Sequence, residues 1–152
     1  MKFDHENGDR MQPGTRRYVY GTPIDWGSTI TVAPDRYQGN SGARCTRLNG
    51  EDLVFWKDAP TNSVFYVCGT GQTWSYVYTL PFSSDEVPGV ATYGNQVHAA
   101  YKDPGSGAIY WSVYDGQWSD AIQISSAFTN ASPALAVYNG QLFLAWSTQD
   151  ST

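Results

Sequence analysis

Two short runs in the sequence set an aromatic ring beside a cation and a carboxylate: Trp56-Lys57-Asp58 and Tyr101-Lys102-Asp103. Such a trio suits a sugar. The ring packs against the C–H face of a pyranose, while Lys and Asp hydrogen-bond its hydroxyls. A third run, Trp146-Ser147-Thr148, keeps the aromatic and drops both charges. Trp111 is a further candidate platform, because Val19 and Val67 stand where spacing places its counterparts. The competing assignment makes the rings packing residues and each Lys-Asp pair a solvated turn, since aromatics in apolar strands are mostly core.

Catalytic chemistry finds little support. The sequence has no Gly-x-Ser-x-Gly, no HExxH and no P-loop. Its paired carboxylates, Glu51-Asp52 and Asp85-Glu86, fall in turn or loop segments, where solvated charges are expected. His98 has no partners spaced as metal ligands and reads as a satisfied core histidine, at the strand position of Val54 and Phe143. Binding rather than catalysis is expected, with no cofactor and no metal. The net charge of -5 and the lack of any Lys/Arg block argue against nucleic acid. No apolar run is long enough to span a bilayer. Met1 to Arg17 is polar, has no signal-peptide core and leaves the compartment open. Asn130-Ala-Ser132 matches a glycosylation sequon, with no secretion signal to go with it.

The elements that must position these residues come from a repeat. Tyr18 to Trp26, Tyr66 to Trp74 and Tyr110 to Trp118 each span nine residues, and the tryptophans lie 48 and then 44 residues apart. Apolar residues alternate after each Trp (Ile30 and Val32, Tyr78 and Leu80, Ile122 and Ile124), so each unit reads strand, tight turn, strand. The matched tryptophans Trp26, Trp74 and Trp118 read as packing. A second unit lies between them. Asn49-Gly50, Gly94-Asn95 and Asn139-Gly140 mark hairpin turns before the runs Leu53–Trp56, Val97–Tyr101 and Leu142–Trp146. These second strands are apolar on both faces, whereas a sheet with one wet face would alternate.

Sheets stacked on neighbours at either side explain that pattern. The expected fold is all-β: a β-propeller of four-stranded antiparallel blades, about three blades per chain. Residues 1–16 read as a polar N-terminal arm with a short strand at Phe3 at most. Residues 17–152 carry the repeats: a half blade over 17–33, blades over 43–82 and 88–126, and a half blade over 133–147. Three blades cannot close a ring. A six-bladed ring formed by a homodimer is expected, each half blade being completed by the other chain; the alternative is a piece of a larger propeller. Cys45 and Cys68 fall on the first and third strands of one blade, roughly 9–10 Å apart, beyond the ~7 Å limit for a disulfide. Two free, buried thiols are expected.

The unit Ile109-Tyr-Trp-Ser-Val-Tyr-Asp115-Gly116-Gln-Trp118 resembles propeller repeats of sugar-binding lectins, including the fucose-binding type, and a loosened Asp-box of sialidase-like propellers. The likeness covers most of residues 17–147. It implies a lectin-like propeller with repeated weak glycan sites, and a structural role for Asp115 and Gly116 in their turn. The other copies carry Pro23-Ile24 and Gly71-Gln72 in place of Asp-Gly, and the Arg–Glu pair of the fucose-binding type is not repeated. A structural or protein-interaction propeller and a glycosidase-type fragment are the alternatives. For the latter, Arg16, Arg17, Arg36, Arg44 and Arg47 form no motif that groups three of them.

Overall fold

A computed structural model describes residues 15–16, 30–31, 42–58 and 60–148. Of these, 62% are in strands and none is helical, so the chain is all-β. The chain divides into two units, residues 1–38 and 39–152. Of the first, only the strands β1 (Thr15–Arg16) and β2 (Ile30–Thr31) are described, paired antiparallel. β1 lies inside the stretch read from sequence as a polar arm. The remainder of that arm, including Phe3, and nearly all of the 17–33 half blade lie outside the described residues.

The described residues of the second unit form three antiparallel sheets. In the first, β3 (Arg44–Leu48), β4 (Glu51–Lys57) and β5 (Ser63–Thr70) lie in order, and β6 (Thr73–Trp74) and β7 (Tyr78–Ser83) share the outer edge of β5. The second sheet runs β8 (Gly89–Tyr93), β9 (Gln96–Lys102), β10 (Ala108–Tyr114) and β11 (Ile122–Phe128). The third pairs β12 (Ala134–Tyr138) with β13 (Gln141–Ala145). These bounds follow the repeat. The three leading hairpins share one turn geometry, with both central residues left-handed: Asn49 and Gly50, Gly94 and Asn95, Asn139 and Gly140. Such turns match the twist of the flanking strands, and Asn and Gly enter them at least cost.

The sheets stack through their first strands. β8 lies against β3 on one side and β12 on the other. The hydroxyls of Thr46 and Thr92 meet at 2.8 Å between β3 and β8. The core follows from the doubly buried second strands of the first two sheets. Leu53, Phe55, Val64, Tyr66 and Leu80 of the first sheet meet Val90, Val97 and Ala99 of the second. Large rings from one side fill the space left by small residues on the other, which keeps packing dense. On its far face the second sheet offers Ala100, Ile109 and Ala127 to Leu135 and Leu144 of the third. Every residue from Leu53 to Lys57 and from Val97 to Tyr101 is buried, as sequence patterning requires. β13 differs. Its residues alternate between half-buried and exposed, and Tyr138 and Phe143 on the outward face are 76% and 47% exposed.

Both cysteines are free, but Cys45 is exposed and Cys68 half-buried, which corrects the expectation of two buried thiols. Cys45 stands opposite Val54 and Cys68 opposite Leu53, on successive residues of β4. Alternation therefore sends the two thiols to opposite faces, and Cys45 sits on the edge strand β3.

Candidate site: an aromatic cleft between two sheets

The residues marked by sequence sit where each second strand ends, and most are already engaged. Trp56 is 1% exposed and Tyr101 4%. Tyr101 lies between Phe82, at 3.8 Å and nearly parallel, and Tyr110, at 5.9 Å. Neither ring is an open platform; burial on both faces of a stacked sheet overrides that expectation. The polar heads are engaged by loop groups, three within their own loops and Lys102 by the β7–β8 connection. Lys57 Nζ donates to the carbonyls of Asp58 and Thr61, both at 2.9 Å. Asp58 accepts from the Thr61 hydroxyl at 2.6 Å. Lys102 pairs with Asp85 at 2.5 Å. Asp103 accepts from the Ser106 hydroxyl at 2.7 Å and from the amides of Ser106 and Gly105. Those bonds, led by the Ser106 hydroxyl, hold its carboxyl below the usual carboxylate range.

Trp146 follows β13 and is partly open, at 40% exposed. Trp111 is half-buried: its ring stacks on His98 at 5.7 Å and its indole N–H donates to His98 Nδ1 at 3.2 Å. His98 Nε2 lies 3.2 Å from the Tyr93 carbonyl, so this imidazole is a satisfied core group. Strand pairing also corrects two repeat alignments. Trp111 faces Ala100 as Tyr66 faces Phe55, so Trp111 matches Tyr66 rather than Val67. Counted from the hairpin turns, His98 matches Leu53 and Phe143 rather than Val54 and Phe143.

A site that the sequence reading missed lies at the opposite end of the sheets. Three turns converge there, Asn49-Gly50, Gly94-Asn95 and Asp115-Gly116-Gln117, and open a cleft of about 1160 Å³ between the first and second sheets. Aromatic rings line it. Tyr66 stacks on Tyr78 at 5.1 Å and on Phe55 at 5.4 Å. Trp118 meets Tyr66 edge-on at 6.2 Å and Tyr114 at 5.3 Å. Glu51, Asn95, Gln96, Asp115 and Gln117 supply polar groups around these rings. Asp115 and Gly116, expected from the sequence to be structural in their turn, form one wall with Gln117 and Trp118.

Two features of the wall bear on chemistry. Burial pushes the Tyr66 phenol up to about 12. The Trp118 indole N–H meets no hydrogen-bond partner and is an unsatisfied donor in the wall. Tyr101, in the core, is likewise pushed up to about 12, first by burial and then by Tyr110 and Asp103. On unfolding both phenols ionise near pH 10, while in the folded chain they keep their protons to about 12. Between those values the unfolded state holds fewer protons, so stability is intact below pH 10 and falls as pH rises through 12. The expected loss is roughly 1–2 kcal/mol per ring. Urea midpoints measured from pH 8.5 to 11.5 should fall, and the fall should halve in Tyr101→Phe. A flat profile would refute it.

Among the described residues no group of His, Cys, Asp and Glu could hold a metal, and no helix is long and apolar enough to cross a membrane. No protein-family model matches the chain, and no curated protein matches it significantly.

Proposed function

We propose that the chain is a lectin-like β-propeller that binds a glycan, without catalysis, in the cleft between its first and second sheets. The observation that carries this is the pairing of aromatic rings with uncommitted carboxylate and amide side chains in one open cleft. Pyranoses are bound by that combination, with apolar C–H faces on rings and hydroxyls on polar groups. The volume of about 1160 Å³ exceeds the roughly 300–1,000 Å³ of small-molecule pockets, which leaves room for more than one sugar ring. The radial stacking of sheets through their first strands supports the propeller.

Tyr78 tests the site most cleanly. It is 45% exposed and sits at the mouth of the cleft beside Tyr66. Tyr78→Ala should weaken retention on a responding glycan about tenfold, the size of one lost aromatic contact, with a melting temperature close to the parent's. Unchanged retention would move the site elsewhere.

The assembly is part of the same reading. β12–β13 leaves Tyr138 and Phe143 open on one face, which supports a second copy of the chain covering it and joining two sets of sheets into a six-bladed ring. Light scattering should give twice the chain mass at micromolar concentration; a stable monomer would remove the dimer.

A further inference from the structure

We infer that the cleft selects by charge, taking uncharged glycans and rejecting those that carry carboxylate or sulfate groups. This rests on the glycan reading above and narrows its ligand class.

Arg44, Arg47, Lys57 and Lys102, the described Lys and Arg residues of the second unit, are all placed away from the cleft lining. Arg47 neighbours the lining residue Leu48 on β3, but strand alternation turns it to the other face, where it pairs with Asp52 at 3.7 Å and donates to the Gly50 carbonyl. Arg44 stands at the far end of β3 and donates to the Ala43 carbonyl. Lys57 and Lys102 are bound into loops where the second strands end, at the other end of the sheets. What remains in the lining is negative: Glu51 and Asp115, both exposed, with no Lys, Arg or His among the lining residues. The rings of Tyr66, Tyr78, Tyr114 and Trp118 in the lining bring no positive charge of their own. The net charge of -5 repels in the same sense over longer range. A sugar hydroxyl can donate to either carboxylate. An acidic sugar finds no cation among the lining residues to neutralise it.

The experiment uses the full chain on an array that pairs neutral oligosaccharides with their sialylated and sulfated counterparts. At 10 mM salt, where the screening length is about 30 Å, neutral forms should be retained at least about tenfold more. At 1 M salt, with screening at about 3 Å, the ratio should approach one. Glu51→Gln with Asp115→Asn keeps acceptor oxygens on exposed turn residues and should lower the ratio several-fold at low salt. Equal or stronger retention of acidic forms at low salt would overturn the charge selection while leaving a glycan site standing, as would an unchanged ratio in the double variant. Retention of no glycan at all would overturn the glycan reading, and the selection with it.

Discussion

Truncating Phe55 to alanine should cost about 3–5 kcal/mol of folding stability, the range for burying an aromatic and then deleting it. Phe55 is 0% exposed on β4, an inner strand of the first sheet. Its ring lies 5.4 Å from Tyr66, nearly parallel, and 6.2 Å from Trp118, edge-on. Across the interface stand Val90, Val97 and Ala99, which are too small to move into the space. The two sheets are tied through their first strands β3 and β8, so collapse is limited and the cavity stays. Against a total of about 5–15 kcal/mol for a domain, this is a large share. Urea unfolding should show the midpoint drop with little change in slope. Tyr93→Ala, at a partly open ring of the second sheet, should cost under about 1 kcal/mol. The two variants costing the same would mean that the interface between the sheets is not the core. Phe55 also backs Tyr66 in the cleft wall, so Phe55→Leu should keep most of the fold and still loosen ligand retention.

Much of the fold was legible because its signals are local. Asn-Gly and Gly-Asn turns demand left-handed backbone, and Asn49, Gly50, Gly94, Asn95, Asn139 and Gly140 all adopt it. Doubly apolar second strands demand two covered faces, and Leu53–Trp56 and Val97–Tyr101 have them. The register of the third strands was misread for a local reason too. Tyr66 to Trp74 and Tyr110 to Trp118 have equal spacing, but pairing aligns Gly69 with Tyr114, opposite Trp74 and Trp118 respectively. The turn in the second sheet is one residue shorter, so Trp111 rather than Tyr110 matches Tyr66. The cleft was not legible at all as a site. Leu48, Tyr66 and Tyr78 come from one sheet, and Asn95, Tyr114 and Trp118 from the next. Only the stacking of the two sheets brings them together, and no spacing within a single repeat encodes it. The Lys-Asp pairs were visible for the converse reason: their chemistry is written in adjacent residues, and those residues use it on nearby loops, Lys102 on Asp85 and the others on their own.

Gly89→Ala should be nearly as damaging as loss of the Phe55 ring, although it adds a single methyl group. Gly89 opens β8 and is buried against the third sheet. A Cβ built there would lie 2.5 Å from the Pro133 carbonyl oxygen and 2.9 Å from the Leu135 amide nitrogen. Both are backbone atoms, so no side chain can swing aside. The sheets themselves must part by several tenths of an ångström or more, along the line where Ala100, Ile109 and Ala127 meet Leu135 and Leu144. Overpacking of this kind costs about 1–3 kcal/mol, and rigid backbone on both sides favours the upper end. The effect should be local in a way that Phe55→Ala is not. Hydrogen exchange should quicken across β12 and β13, while β4 and β5 keep their protection. The Ser132 hydroxyl, which donates to the Val87 carbonyl across the same junction, should lose that bond. A control at Gly105, where a Cβ would meet only the Asp103 side chain at 3.5 Å, should be close to neutral. If Gly89→Ala melts with the parent, β8 and β12 are not in backbone contact, and the stacking of the second sheet on the third is lost as a support for a radial arrangement.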